Sequence, residues 1–337
     1  MQQKGDNFMS GTNQYYDPNI FMQSTNLTIK VAYMYYYEKL RQQEIAEKLE
    51  ISVSTVSRIL KKAKEQEIVR FTIGSNYLEC LELENKIQEY FHLKEVIVAP
   101  APKDEVGGDD MKKLVGLEGA RYLQRIVTDC DVLGVAYGET VWYVYNYLNP
   151  SQRKNMEFVT LHGTLYHENN KLDGSWLVPR IAKAFGGRYY TINCKGIQKD
   201  RESVLCLLRN PDIKRTFEQL SNITISISGV GMVYPEKSSV LVRGDYLTEE
   251  EIHELEAAGA CGDILLRFFD KEGKECDTSL RSRIIGIPYE HYKRIPNKVV
   301  VAAGEAKTMA VLGLLRNDMV DTLIIDQGLA RGLAKAI

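Results

Sequence analysis

Residues 42–64, QQEIAEKLEISVSTVSRILKKAK, decide how this chain is organised. Ile45, Ala46 and Leu49 fall on a first short helical pattern, Ile51 in a turn, and Val56, Ile59 and Leu60 on a second. Two helices crossing steeply need this placement to bury a shared seam, and small Ala46 lets the second approach closely. Ser52 and Ser54 stand where they can accept from the free N–H groups at the start of the second helix. The turn position that often holds glycine is Glu50, which predicts a left-handed backbone there at a cost of about 1 kcal/mol.

The open side of the second helix carries Ser54, Thr55, Ser57 and Arg58, followed by Lys61, Lys62 and Lys64. Short hydroxyls and an arginine suit base edges, and lysines suit the flanking phosphates. The plainer alternative is an amphipathic helical hairpin with a solvated basic face. Spacing, capping and charge agree instead on a helix-turn-helix for the DNA major groove.

The chain has 337 residues, enough for two domains, and its 44% hydrophobic and 26% charged content is that of a soluble globular protein. A net charge of −2 excludes a protein that coats nucleic acid, so contact with DNA must be local, and the basic charge is concentrated in residues 58–64. No apolar run reaches the roughly 18 to 20 residues of a membrane span. The polar N-terminus does not read as a signal peptide. The six cysteines (Cys80, Cys130, Cys194, Cys206, Cys261 and Cys276) show no metal-ligand spacing, and they read as buried free thiols of a cytoplasmic protein with no metal or cofactor.

Residues 1–24 read as a mobile tail and 25–75 as a winged-helix-like DNA-binding domain. A linker helix is expected over 76–94, and an effector-binding and oligomerisation domain over 95–337. In the first domain a helix from about Leu27 to Tyr37 offers Ile29, Tyr33 and Tyr36 or Tyr37 as its apolar side, and residues 67–73 form a short extended segment, a small wing. Within the linker, 77–91 has Leu81, Leu83, Ile87 and Phe91 apolar. It can join the domains or pair with a partner chain.

From residue 95 onward, strand-like runs (96–99, 131–137, 157–161, 189–192, 223–228, 263–269, 283–287, 299–303 and 322–326) alternate with helical patterns (112–128, 174–185, 248–258 and 305–315). This alternation predicts an α/β domain with a doubly wound, mostly parallel sheet. Pro179 should sit in the first turn of its helix or kink it. Asp270-Lys-Glu-Gly-Lys reads as a tight hairpin within that sheet.

In such sheets ligands bind at the carboxyl ends of the strands. Six ends carry glycine and polar residues, at 137–140, 162–164, 229–231, 259–263, 303–307 and 326–328. Glycine lets backbone N–H groups approach an anion, and although each turn alone has an equal structural reason, six together favour a small anionic ligand. No dinucleotide fingerprint or phosphate loop is present, which disfavours a nicotinamide enzyme or an NTPase. His162 can donate to a phosphate or hydroxyl, or be a half-buried structural histidine. Asp263 can accept from sugar hydroxyls or cap the next element. Lys307, near a helix start, opposes the helix dipole unless an anion lies nearby.

With these residues in view, the chain resembles the SorC family of sugar-responsive bacterial transcription regulators over roughly residues 27–337. The matching segments are QQEIAEKLEISVSTVSRILKKAKEQEIVRF, LGVAYGETV, GRYYTI, AGACGDILLRFFD, VVVAAGEAKTMAVLGLLR and DTLIIDQGLARGL. The resemblance implies an effector domain similar to phosphosugar isomerases. It also implies a homodimer or homotetramer whose affinity for double-stranded operator DNA changes when a phosphorylated sugar binds. Matched by motif, Asp263 would hold sugar hydroxyls, Lys307 would meet a phosphate, Gly163 and Thr164 are the small residues after the third strand, and Arg243 stands where a ligand-binding arginine fits. Position 162 is His, not a lysine able to form an imine.

The reading that follows is a ligand-controlled regulator, a repressor of carbohydrate genes. Ser54, Thr55, Ser57 and Arg58 would read bases, Lys61 and Lys62 would meet phosphates, and His162, Gly163, Thr164, Arg243, Asp263 and Lys307 would hold the effector. The alternatives are a sugar-phosphate isomerase or deaminase using Asp263, Glu305 or His162 as its base, and a regulator that senses an unphosphorylated sugar.

Overall fold

The computed structural model describes residues 24–102, 107–149, 155–165, 174–234, 236–237, 239–244 and 246–337. The tail expected over 1–24 lies outside them except for Ser24, whose hydroxyl accepts from Leu27 N–H and caps the first helix. The chain divides into two compact units, one ending at Ile73 and one spanning Gly74–Ile337.

The first unit consists of helices α1 (Thr25–Tyr36), α2 (Gln42–Leu49) and α3 (Val53–Glu65). Ile45, Ala46, Val56, Ile59 and Leu60 are buried together with Val31, and Leu49 and Ile51 pack against them. Ser52 accepts from Thr55 N–H at 3.1 Å and caps α3, whereas Ser54 lies inside the helix and its hydroxyl meets that of Ser52 at 2.8 Å. Glu50 adopts the left-handed backbone, with φ 54° and ψ 39°.

Two expectations for this unit need correction. Helix α1 buries Thr28, Val31 and Ala32, while Ile29, Tyr33 and Tyr37 are half or more exposed. Its apolar residues surround the helix, so periodicity could not choose a face. Residues 66–74 form no β-ladder, so the segment 67–73 is not a wing strand. It returns along α3, with Val69 N–H on Ala63 O at 3.1 Å and Phe71 edge-on to Tyr36.

The second unit opens with helix α4 (Ser75–Phe91). It then has strands β1 (Glu95–Ala99), β2 (Val132–Val135), β3 (Glu157–Thr160), β4 (Arg188–Tyr190), β5 (Ile225–Gly229), β6 (Gly231–Met232), β7 (Ala260–Ile264), β8 (Arg267–Asp270), β9 (Asn297–Ala302) and β10 (Thr322–Asp326). Among the described residues, seven of them form one parallel sheet in the order β1-β10-β9-β5-β2-β3-β4, and β6-β7-β8 form a small antiparallel sheet. Helices cover both faces of the large sheet. Val299 and Val301 of β9 enter the layer beneath α5 (Gly108–Ile126), α6 (Glu139–Tyr147) and the helix Gly174–Phe185. Val300 and Ala302 enter the opposite layer, under α4 and the helices Thr308–Arg316 and Gln327–Lys335. A strand covered on both sides is apolar throughout, which is why these strands read as continuous runs.

Helix α4 belongs to this unit and is not a free linker. Cys80, Leu83 and Ile87 are buried in the core, and Arg331 grips Glu79 with two bonds of 2.5 and 2.6 Å. Leu81, another of its apolar residues, is exposed. Of the cysteines expected to be buried, Cys80, Cys261 and Cys276 are, whereas Cys130 and Cys206 are exposed.

The run 263–269 is not one strand but the hairpin of β7 and β8, which turns at Leu265 and Leu266 with φ of 54° and 68°. Residues 283–287 make only isolated bridges, Ile284 to Ile197 and Gly286 to His162. The tight turn at 270–274 is present, with Gly273 at φ 74°, but it follows β8 of the small sheet instead of lying in the large one. Pro179 sits inside its helix, beyond the first turn.

Helices α5 and α6 touch backbone to backbone at Gly116. A Cβ there would lie 2.4 Å from Tyr143 Cβ and 3.0 Å from its carbonyl carbon. Gly116→Ala must push the helices apart and should destabilise the chain by about 1 to 3 kcal/mol. Urea unfolding measures this, and a midpoint equal to the parent's would mean the contact yields freely.

Candidate functional site

On α3, Ser54, Ser57, Arg58 and Lys61 are exposed, and Thr55 and Lys62 are half-buried. The expected recognition residues therefore share the outer side of one capped helix. Lys61 lies 3.8 Å from Glu65 on the same surface, an exposed pair too weak to hold the lysine back from a phosphate. Lys64 stands over the Phe71 ring at 5.0 Å.

The second site lies where strand order reverses. Strands β2 and β5 are neighbours, but the chain leaves β2 toward β3 on one side and leaves β5 toward β9 on the other. Their carboxyl ends open a crevice there, lined by Ala136–Thr140 after β2 and Gly229–Gly231 after β5. His162, Arg243, Asp263 and Lys307 all line this cavity. Gly163 and Thr164 do not. A Cβ on Gly163 would sit 2.7 Å from Cys194 O, and Thr164 bonds to that same carbonyl, so these two residues fasten neighbouring backbone.

His162 is buried, with both ring nitrogens engaged by backbone. Nδ1 is 2.8 Å from Gly163 O, and Nε2 accepts from Tyr137 N–H at 3.4 Å. Burial pushes its pKa down to about 4, against the Gly163 bond that raises it. The ring is thus neutral and serves as part of the wall.

Lys307 is placed by the loop after β9. Gly304 takes φ 104°, a backbone that L side chains rarely adopt, and its N–H donates to Asp326 Oδ1 at 2.9 Å. The loop then folds back so that Lys307 Nζ donates to Val230 O at 2.8 Å. Burial and the nearby Lys112 charge lower its pKa to about 8, while Asp263 and Glu139 oppose the shift. The ammonium therefore stays charged at neutral pH.

Asp263 on β7 is paired in register with Gly231, whose missing side chain leaves room for the carboxylate. A Cβ there would lie 2.0 Å from Oδ1. Oδ1 is buried and has no hydrogen-bond partner among the described residues. Burial raises the pKa to about 6, although the Ser239 hydroxyl bond and the Lys307 charge lower it. An acceptor left in this state answers a hydroxyl donor.

Two residues of the site were not singled out from sequence. Glu139, the first residue of α6, lies 2.5 Å from Lys112 and 3.2 Å from Arg243. Burial would raise its pKa, but these two cations outweigh it and hold the carboxyl below its ordinary value. Glu139 sat in a glycine turn already noted at 137–140. Lys112 gave no signal beyond the polar face of its helix. No group of His, Cys, Asp and Glu able to hold a metal occurs among the described residues.

The Asp263 shift has a consequence for stability. The folded chain keeps this proton up to about pH 6, whereas an ordinary aspartate releases it near 3.8. The group's contribution is thus most favourable below pH 4 and is lost as pH rises to 6. Asp263→Asn should be more stable than the parent at pH 8, by on the order of 3 kcal/mol, and equal to it below pH 4. Urea unfolding at both pH values tests this, and an equal gain at both would remove the carboxylate charge as its cause.

Comparison with known proteins agrees with this architecture. Residues 75–335 match the family described as "Putative sugar-binding domain", and residues 30–66 match sigma-70, region 4. The chain is 30% identical to the deoxyribonucleoside regulator of Bacillus subtilis, covering 91% of this chain and 96% of that protein. It is 27% identical to the transcriptional regulator LsrR of Enterobacter sp., covering 91% and 92%. The full-length sorbitol operon regulator SorC of Klebsiella pneumoniae has the same fold, with a TM-score of 0.71 at 24% identity over 92% of this chain and 98% of that one. A DNA-binding helix-turn-helix joined to a sugar-binding α/β unit, shared nearly end to end with these regulators, means that the chain belongs to the SorC family of sugar-binding transcriptional regulators.

Proposed function

We propose that this regulator is a repressor of carbohydrate-metabolism genes and that a phosphorylated sugar in the crevice controls its hold on operator DNA. The observation that carries this reading is the composition of the crevice. Lys112, Arg243 and Lys307 supply cations, and the buried Asp263 Oδ1 supplies an unmet acceptor in the same cavity system. Cations suit a phosphate, and the acceptor suits a sugar hydroxyl. His162 contributes the shape of the wall. The division of labour follows the two units, with DNA read by residues up to 73 and effector held by the rest.

On DNA, Ser54, Thr55, Ser57 and Arg58 face base edges, and Lys61 and Lys62 meet phosphates. One such helix makes too few contacts for specific binding, so a homodimer or homotetramer on paired half-sites is the working form. The place of work is the cytoplasm, with the chromosome.

The decisive experiment is anisotropy of labelled DNA from just upstream of the gene and its neighbours, at fixed salt because backbone contacts are steeply salt-dependent. Each sugar is compared with its phosphate. One phosphosugar should alter the binding, whereas a response to the free sugar alone would refute the phosphate. Arg58→Ala should weaken operator binding by about 1 to 3 kcal/mol, and an unchanged affinity would take Arg58 off the recognition surface. Lys307→Ala should abolish the sugar response while leaving operator binding intact. If it still responds at parental concentrations, the anion site lies elsewhere.

A further inference from the structure

Glu139 sits where an anion is favoured. It is the first residue of α6, where the helix dipole favours negative charge, and it lies between Lys112 at 2.5 Å and Arg243 at 3.2 Å. Arg243 and Lys307 line the same cavity as Glu139, and Lys112 joins all three in the adjoining pocket by Gly304. The surroundings are those of an anion seat, and the chain fills it with its own carboxylate.

We propose that Glu139 is an internal competitor for the effector's anionic group and thereby sets which ligands the cavity accepts. The proposal rests on the reading of the effector as a sugar phosphate. While Glu139 holds Lys112 and Arg243, Lys307 is, among the described residues lining the cavity, the cation not paired with an acid and so the one to meet an incoming phosphate. A small anion by itself gains too little to displace the tethered carboxylate. A phosphosugar adds its hydroxyl bonds to Asp263 and its contacts with the wall, so it can take Arg243 away from Glu139. The acid thus makes the response depend on sugar and phosphate together and discriminates against free phosphate. Arg243 is suited to the exchange, since its side chain is half exposed and its bond to Glu139 is single.

The test uses the full chain and inorganic phosphate as the probe, following the rise in melting temperature at constant ionic strength. Glu139→Gln keeps the side chain's size and its hydrogen-bonding oxygen but removes the charge. The concentration of phosphate needed for half the shift should fall at least tenfold from parent to Glu139→Gln. Adding Lys307→Ala to that variant should abolish the gain, which ties the phosphate to this cavity. If Glu139→Gln folds but binds phosphate no better than the parent, the competitor role is wrong. If neither protein binds phosphate while a free sugar still alters DNA binding, the phosphosugar reading itself falls. Should Glu139→Gln fail to fold, Glu139→Ser provides the same comparison with the charge and most of the side chain removed.

Discussion

The reversal of strand order between β2 and β5 is the constraint on which the rest of the unit 74–337 depends. Crossover connections that leave in opposite directions cannot cover the gap between them, so the ends of two central strands stay open. Three connections empty into this gap. The turn after β2 brings Glu139, the turn after β5 brings Gly231, and the turn after β9 brings Lys307. The small antiparallel sheet closes one side because β6 follows β5 after a single residue and carries β7, hence Asp263, to the crevice.

The site carries costs that the surrounding packing must tolerate. Asp263 is pushed up and Lys307 pushed down, both by burial, so each charge is less comfortable than it would be in water. The sheet offsets this with strands buried on both faces, as β9 shows by alternating between two apolar layers. An unmet buried acceptor and a desolvated ammonium in one cavity are what a binding site retains, because a ligand restores the partners that water supplied.

The legible parts of the sequence were those set by neighbours along the chain. The helix-turn-helix seam, the Ser52 cap and the left-handed Glu50 all follow from residues within one or two turns of each other. The parallel strands were legible because double burial leaves long apolar runs. The failures have causes of two kinds, some local and some set by contacts distant along the chain. Helix α1 has Leu27, Ile29, Val31, Ala32 and Tyr33 around its circumference, so periodicity could not choose a face. The β7–β8 hairpin turns on two leucines with positive φ, and a turn made without glycine, asparagine or aspartate gives no signal. Gly163 and Thr164 matched a motif but answer to the Cys194 carbonyl. Lys112 and Glu139 are 27 residues apart, and only the packing of α5 on α6 brings them together.

A short polar path joins the loop that carries Lys307 to the segment that follows the helix-turn-helix unit. Asp326 fixes Gly304 N–H and with it the loop that carries Lys307. The next residue, Gln327, donates to Glu79 at 2.9 Å and accepts from Ala101 N–H at 3.2 Å, while Glu79 is clamped by Arg331. Glu79 lies in the first turns of α4, which begins two residues after Ile73, where the helix-turn-helix unit ends. An effector changes DNA affinity only by binding two arrangements unequally. Polar bonds through two consecutive residues, Asp326 and Gln327, thus join the Gly304–Lys307 loop to the start of α4.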